Sequence, residues 1–229
     1  TAYEIRLSLV GSEMCIRDSL LTYLKNNKIG HEDIILNDHL TPTCSIYIDR
    51  DGERTIKSSG YENCEWNSLA EIENFDSLII DRYSIKYIKE ELKKKDLNKV
   101  FVTQAGYDEE IDYNIDFLVV SKDEIDVVEA NRLLNEDFVN WILLTSSNLP
   151  ARLLSKDGVI EIVPPDFKTI NSTGAGDITA AYIGAFGIED VIETTKNACA
   201  AGALLAGTST FPSLTKIKEV SELVEINPR

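Results

Sequence analysis

The sequence has few long apolar runs, and none approaches the roughly 20 residues that a membrane-spanning helix requires. Lysine and arginine are outnumbered: 23 of them face 39 acidic residues, which gives a formal charge of −16. This charge argues against a nucleic-acid or membrane-surface partner, because either would need a basic patch. The charge does not exclude small anionic substrates, since they require only a local positive site.

Paired cysteines and metal-binding patterns are missing as well. No C-x-x-C pair occurs among the four cysteines, which are Cys15, Cys44, Cys64 and Cys199. The two histidines, His31 and His39, lie in a polar stretch without the spacing of a zinc site. We therefore expect free thiols, a reducing cytoplasmic location and no zinc centre.

What the sequence does have is a hydrophobic fraction of 43%, enough for a sizeable core, arranged in alternating elements. Leu20 to Lys28 has the character of a helix end. The pattern predicts helices over 84–96, 122–134 and 188–207, and strands over 75–81, 99–104, 115–121, 140–145, 151–155 and 158–164. Alternation of strand and helix from Phe75 to Val120 predicts a parallel sheet covered by helices.

A separate element precedes this core. The stretch "TPTCSIYIDRDGERTI" alternates apolar and polar residues around Asp51-Gly52. This pattern is typical of a β-hairpin. We expect the hairpin, over Thr41 to Lys57, to form a small sheet of its own.

The stretch "NSTGAGDITAAYIGAF", Asn171 to Phe186, places two glycines and an aspartate directly before a run of small residues. Glycines before a helix let backbone amides turn toward one point, where the helix dipole favours negative charge. Asp177 would be repelled from a bound phosphate, so it needs another task, such as accepting a proton from an attacking hydroxyl. The alternative is an ordinary glycine turn capped by aspartate, and four residues alone do not decide between the two.

Three segments in order resemble the ribokinase-like (PfkB-type) carbohydrate kinase family. The stretch from Asn171 matches the family's Asp-Thr-x-Gly-Ala-Gly-Asp signature in all but the first position. Upstream, the hairpin sequence resembles the family's lid, here about 41–60, and downstream "KNACAAGALLAG" resembles the helix beside the adenine. The resemblance implies a three-layer α/β/α ribokinase-like fold with a small β-sheet lid, and it also suggests a homodimer formed through that lid.

The resemblance further implies an ATP-dependent kinase that uses Mg²⁺ and phosphorylates a hydroxyl of a sugar, sugar acid or nucleoside. By this analogy Asp177 is the catalytic base, and Gly174, Ala175 and Gly176 form the anion hole. The resemblance also implies nucleotide contacts for Thr145, Thr173 and Asn197. It places Glu124 in the magnesium–water network.

Several positions depart from the family pattern. Asn171 stands where the signature has aspartate, a departure shared with pseudouridine kinases, and activation by a monovalent cation is left open. Ser121 replaces asparagine in the family's Asn-x-x-Glu motif. In the loop "TSSNLP", Ser147 and Pro150 stand where glycines are usual, which restricts the backbone and weakens the expected ATP contacts.

Residues 9–19 resemble a translated sequencing adapter, since "EMCIRD" is the reading of a transposase adapter end. We therefore expect residues 1–19 to be an artefact and 20–229 to be an incomplete kinase domain without the family's first strand and Gly-Gly…Asn sugar-binding motif. Residues 20–229 alone are expected to be poorly soluble and inactive, whereas the complete gene product is expected to release ADP in the presence of a sugar or nucleoside acceptor.

Two other function classes compete with the kinase. A non-catalytic nucleotide-binding protein of the same fold is favoured by the lost loop glycines and opposed by the intact Gly-Ala-Gly-Asp. A dinucleotide-binding oxidoreductase is disfavoured because no G-x-G-x-x-G follows a predicted strand.

Overall fold

A computed structural model describes nine stretches of the chain, which are 3–6, 13–30, 43–48, 54–60, 75–94, 100–107, 111–146, 149–208 and 210–228. The chain divides into two compact units, Thr1–Ser68 and Leu69–Arg229. None of the helices within the described stretches is long and apolar enough to cross a membrane.

Within its described residues, the first unit contains a three-stranded antiparallel sheet and one helix. Its elements are β1 (Tyr3–Arg6), α1 (Glu13–Asn26), β2 (Thr43–Ile48) and β3 (Arg54–Ser59), with the strand order β1-β2-β3. The register that pairs Thr43 with Ser59 and Ile48 with Arg54 confirms the predicted hairpin. The predicted turn residues Asp51 and Gly52 lie outside the described part of the chain.

Residues 1–19, for which the sequence predicts an artefactual origin, contribute β1 and the start of α1. Neither element belongs to the larger sheet of the second unit. The expected poor packing of this segment concerns side chains that lie almost wholly outside the described part. The origin of the segment stays a prediction.

The second unit is built on a seven-stranded sheet with the order β10-β9-β8-β7-β6-β5-β4. Its strands are β4 (Ser77–Asp81), β5 (Phe101–Ala105), β6 (Ile115–Ser121), β7 (Val139–Thr145), β8 (Ala151–Ser155), β9 (Gly158–Val163) and β10 (Glu225–Pro228). The helices are α2 (Ile85–Lys94), α3 (Val127–Asn135), α4 (Ala175–Phe186), α5 (Val191–Thr208) and α6 (Leu214–Ser221).

Strand direction brings several strand ends to one edge of this sheet. Strands β4 to β7 are parallel, which confirms the prediction for β4 to β6 and extends it to β7. Strand β8 runs antiparallel to both β7 and β9, so β9 is again parallel to β7. The carboxyl ends of β4, β5, β6, β7 and β9 therefore share one edge, called here the carboxyl edge.

The two faces of the sheet are buried by different helices, which gives three layers. Leu118 and Val120 of β6 pack in a core with residues of α2 and α3, such as Leu92 and Leu133. Phe117 and Val119 of the same strand point to the opposite core, which includes residues of α4, α5 and α6. A strand buried on both faces needs a continuous apolar run, and "IDFLVVS" supplies it.

Candidate active site

The start of α4 is shaped by a glycine in a left-handed conformation. Gly174 is the N-cap residue, with φ 82° and ψ −3°, values that a residue with a β-carbon adopts only under strain. Just before it, the Thr173 amide donates to Asn171 Oδ1 at 3.0 Å, and the Ala175 amide donates to the Ser172 carbonyl at 3.2 Å. Asn171 thus forms a side-chain turn that leads the backbone into the helix.

Two amides of the first turn of α4 are left without an acceptor among the described residues: those of Gly176 and Asp177. A β-carbon on Gly176 would meet no atom within 4 Å, so the space beside this amide is open. The Ala175 amide, which the resemblance places in the anion hole, already donates a hydrogen bond to the Ser172 carbonyl. Unpaired first-turn amides at the positive end of a helix favour an anion.

Asp177 lies in this first turn, and its side chain is exposed. Its carboxylate makes no hydrogen bond or ion pair with the described residues. A carboxylate so placed is free to accept a proton from a molecule bound over the helix end.

The segment before α4 is attached to the end of α5. The Ala206 carbonyl accepts hydrogen bonds from the amides of Ile170 and Asn171, at 2.8 and 3.0 Å. Further along the pair, Thr179 Oγ1 donates to the Ala175 carbonyl at 2.7 Å and lies 3.3 Å from the Ala198 carbonyl. The first turn of α4 is therefore held from beneath by α5.

Asn197 lies within α5 and is only 7% exposed. Its Nδ2 donates to the Glu193 carbonyl at 2.8 Å and to Glu193 Oε1 at 3.0 Å. Its Oδ1 is buried and has no partner among the described residues. A buried amide oxygen without a donor is costly, and it is a ready acceptor for an amino group.

Cys199, two residues further along α5, is also buried. Burial disfavours the charged thiolate and raises the pKa of Cys199 to about 12. This thiol is therefore not a nucleophile at neutral pH.

A second group of polar residues lies at the carboxyl edge. Glu124 follows β6, and its Oε2 accepts the Ser121 amide at 2.9 Å. Its Oε1 accepts from Arg82 Nη1 at 2.8 Å, and Arg82 follows β4. Sequence reasoning missed Arg82, although a charged residue directly after a buried strand is the pattern that marks this edge.

The loop after β7 also lies at the carboxyl edge. Thr145 Oγ1 donates to the Val120 carbonyl at 3.1 Å, which ties the ends of β6 and β7 together. Pro150 is half-buried, whereas Ser147 lies outside the described residues. The predicted nucleotide contact of Thr145 would therefore have to use the remaining lone pairs of its hydroxyl or its backbone.

The chain connects the two groups. It leaves β9 at the carboxyl edge, reaches α4 through residues 164–174, and then packs α4 on β4, β5 and β6. Thr173 lies on this connection and is exposed, as is Asp177 in the helix that follows.

A magnesium site built from protein ligands alone is not present in the described part of the chain, which holds no cluster of three or more His, Cys, Asp or Glu residues. Mg²⁺ is commonly held by one or two carboxylates together with substrate phosphates. Glu124 fits that mode, provided that the ion pair with Arg82 opens.

Comparisons with known proteins identify the fold. No family model matches the sequence, and no curated protein matches it. Among solved structures, a nucleoside kinase of Methanocaldococcus jannaschii, an archaeal member of the ribokinase family, is similar with a TM-score of 0.70 and 21% identity over 92% of this chain and 78% of its own. Ribokinase of Arabidopsis thaliana complexed with ribose and ATP is also similar, with a TM-score of 0.68 and 18% identity over 90% of this chain and 78% of its own.

A ribokinase from Thermotoga maritima is similar as well, with a TM-score of 0.67 and 17% identity over 90% of this chain and 77% of its own. At such identities the likeness establishes the fold and leaves activity to the site. The protein therefore has the ribokinase-like α/β fold that the sequence predicts, with a seven-stranded sheet and a separate small sheet.

Proposed function

We propose that the protein is an ATP-dependent kinase that transfers the γ-phosphoryl group to a hydroxyl of a sugar, sugar acid or nucleoside. The observation that carries the proposal is the first turn of α4. There, two open amides and an unpaired carboxylate lie within two consecutive residues, Gly176 and Asp177, of a ribokinase-like fold.

In the proposed reaction Asp177 accepts the proton of the acceptor hydroxyl as the oxygen attacks the γ-phosphorus. The bond from that phosphorus to the β–γ bridging oxygen breaks, and ADP leaves with the electron pair. The amides of Gly176 and Asp177 stabilise the charge on the transferring group. The Gly174 conformation supports this role, because it turns the backbone into the helix at that point.

Contacts to the nucleotide are assigned to Thr145, Thr173 and Asn197. Asn197 Oδ1 suits an exocyclic amino group, since it is an acceptor without a donor in the described structure. Mg²⁺, when bound with the nucleotide, supplies charge neutralisation of the phosphates. Glu124 is the carboxylate that we propose faces it.

A second candidate is a nucleotide-binding protein without turnover. Pro150 in the loop after β7 removes a backbone donor that a glycine would offer. Arg82 also occupies the carboxylate of Glu124. Both observations favour a protein that binds the nucleotide more weakly, or in a different arrangement, than an active kinase does.

Acceptor-dependent release of ADP tests the proposal. The complete gene product is mixed with ATP and Mg²⁺ and with a pentose, a hexose, an aldonate, a purine nucleoside and pseudouridine in turn. The Asp177→Asn variant should bind ADP as the unaltered protein does and lose roughly 10²–10⁴-fold in turnover, the usual effect of removing a general base.

Asp157→Asn is the matched control. Asp157 is also exposed but lies in the turn between β8 and β9, at the opposite edge of the sheet. Turnover that falls less than tenfold in Asp177→Asn would remove Asp177 as the base. Nucleotide binding without release of ADP for any acceptor would favour the second candidate.

A further inference from the structure

Gly202 of α5 packs directly against α4. A β-carbon on Gly202 would lie 2.6 Å from Thr179 Oγ1 and 3.1 Å from the Ala175 carbonyl oxygen. The first distance is shorter than non-bonded atoms tolerate, so the Thr179 side chain or one of the two helices would have to shift. Gly202 is buried, and the atoms that it faces belong to the first half of α4.

The second of these two atoms, the Ala175 oxygen, belongs to a peptide group of the candidate anion hole. The Ala175 carbonyl and the Gly176 amide are parts of one peptide group, and that group is planar. Any push on the Ala175 oxygen therefore tilts the Gly176 N–H as well. Thr179 Oγ1 fixes the same oxygen through a 2.7 Å hydrogen bond.

Contacts on the preceding side hold the segment in the same way. A β-carbon on Gly174 would lie 3.4 Å from Leu205 Cδ2. The Ala206 carbonyl accepts the amides of Ile170 and Asn171. The last turns of α5 thus contact the chain before, at and after the Ala175–Gly176 peptide.

We infer that Gly202 is a positioning residue, which sets the direction of the Gly176 amide by leaving room for Thr179 Oγ1 and for the Ala175 carbonyl that this hydroxyl holds. The inference rests on the proposed function for its effect on rate, but not for its effect on geometry. It assigns a role in catalysis to a residue of α5 that touches neither substrate.

Gly202→Ala is the first variant. Misplacement of reacting groups by about 1 Å can cost about 10²-fold in rate. We expect turnover to fall by about 10- to 100-fold, while the KM for ATP changes by less than about threefold. In ¹H–¹⁵N spectra of the whole protein, the amide signals of Gly176 and Asp177 should shift.

Removal of the opposing atom should reverse the effect. The Gly202→Ala/Thr179→Ala double variant lacks Thr179 Oγ1, so only the 3.1 Å contact with the Ala175 oxygen remains. Thr179→Ala alone is the reference, because it lacks the same hydroxyl and its hydrogen bond to Ala175. Relative to this reference, the added methyl of the double variant should cost little turnover, and the Gly176 signal should return toward its original position. Such coupling is what a double-mutant cycle measures.

Gly184→Ala separates positioning from general destabilisation. Gly184 lies near the other end of α4, where a β-carbon would be 2.3 Å from Ile79 Cγ1. This variant should lower the melting temperature and leave the turnover of the folded fraction unchanged. If it does not fold, the comparison of Gly202→Ala with the double variant still decides.

Unchanged turnover in folded Gly202→Ala would overturn the inference. So would an equal loss from the added methyl in the Thr179→Ala background while the Gly176 signal stays in place. If the unaltered protein shows no acceptor-dependent turnover, the proposed function fails, and the Gly176 signal alone decides on positioning. A shift in the single variant that reverses in the double variant supports it.

Discussion

Arg82 reaches across the backbone of Gly106 to pair with Glu124, with 2.8 Å between Nη1 and Oε1. A β-carbon on Gly106 would come within 3.4 Å of Arg82 Cδ and 3.5 Å of Glu124 Oε1. Gly106 also has φ 79°, which favours glycine. Because the Ser121 amide binds the other oxygen, the carboxylate that we assign to the magnesium network is engaged at both oxygens.

The first prediction concerns this pair. Arg82→Met should lower the Mg²⁺ concentration that half-saturates turnover by about two- to fivefold, the range that a partly exposed ion pair supports. The cation no longer competes with a guanidinium for Glu124. A magnesium titration at fixed ATP measures the change, and the same titration of nucleotide binding measures it without turnover.

Arg152→Met is the control for this prediction. Arg152 pairs with Glu161 at 3.7 Å between β8 and β9, away from Glu124. Its removal should leave the titration as it is. An increase in the Mg²⁺ requirement of Arg82→Met would mean that Arg82 itself helps to bind the phosphates.

The second prediction concerns Asn197. If its unpartnered Oδ1 accepts a hydrogen bond from the amino group of adenine, Asn197→Leu should lower the affinity for ADP by about 2- to 13-fold, the equivalent of one neutral hydrogen bond. IDP, which lacks that amino group, should lose much less. Calorimetric titration of both nucleotides into both proteins gives the comparison, and an equal loss for ADP and IDP would contradict the assignment.

The third prediction concerns acid stability. Hydrogen bonds from Lys89 and Lys93 lower the pKa of Asp112 to about 2, from an ordinary value of 3.8. A lowered folded-state pKa stabilises the protein above the unfolded-state value and loses that effect as the pH falls through the folded-state value. The ion pairs of Asp112 with the two lysines thus stabilise the fold above about pH 4, and this stabilisation is largely lost near pH 2.

Asp112→Asn tests this dependence. The variant should be less stable than the unaltered protein at pH 6, and the difference should shrink steadily as the pH falls from 4 to 2. Urea unfolding at each pH gives the free energies of unfolding. A difference that is constant with pH, or that grows in acid, would show that Asp112 acts through packing rather than charge.

The elements of the second unit could largely be predicted because most strands are buried on one or both faces. The predicted bounds of β6 and β8 agree with the structure, since both strands are apolar runs with polar neighbours. Helix α6 and strand β10 were missed. The first is short and is marked only by the Ser213 cap, and the second contains Pro228 and pairs only with β9 among the described strands.

Of the candidate site, the sequence predicted the residues but not their partners. Asp177 and the glycines before it are adjacent in sequence, so local chemistry was enough to single them out. The pairing of Arg82 with Glu124 joins residues 42 positions apart, and the constraint on Gly202 comes from another helix. Long-range contacts of this kind depend on how the elements pack, which no local pattern reports.

The hydrogen bonds to the Ala206 carbonyl have a consequence for the order of events during synthesis. The loop at residues 170–171 leaves the ribosome more than thirty residues before its acceptor does. Until Ala206 has emerged, the start of α4 has neither its anchor nor the helix beneath it. A chain that terminates between the end of α4 and Ala206 would carry every residue of the proposed anion hole and still lack the anchor that holds it.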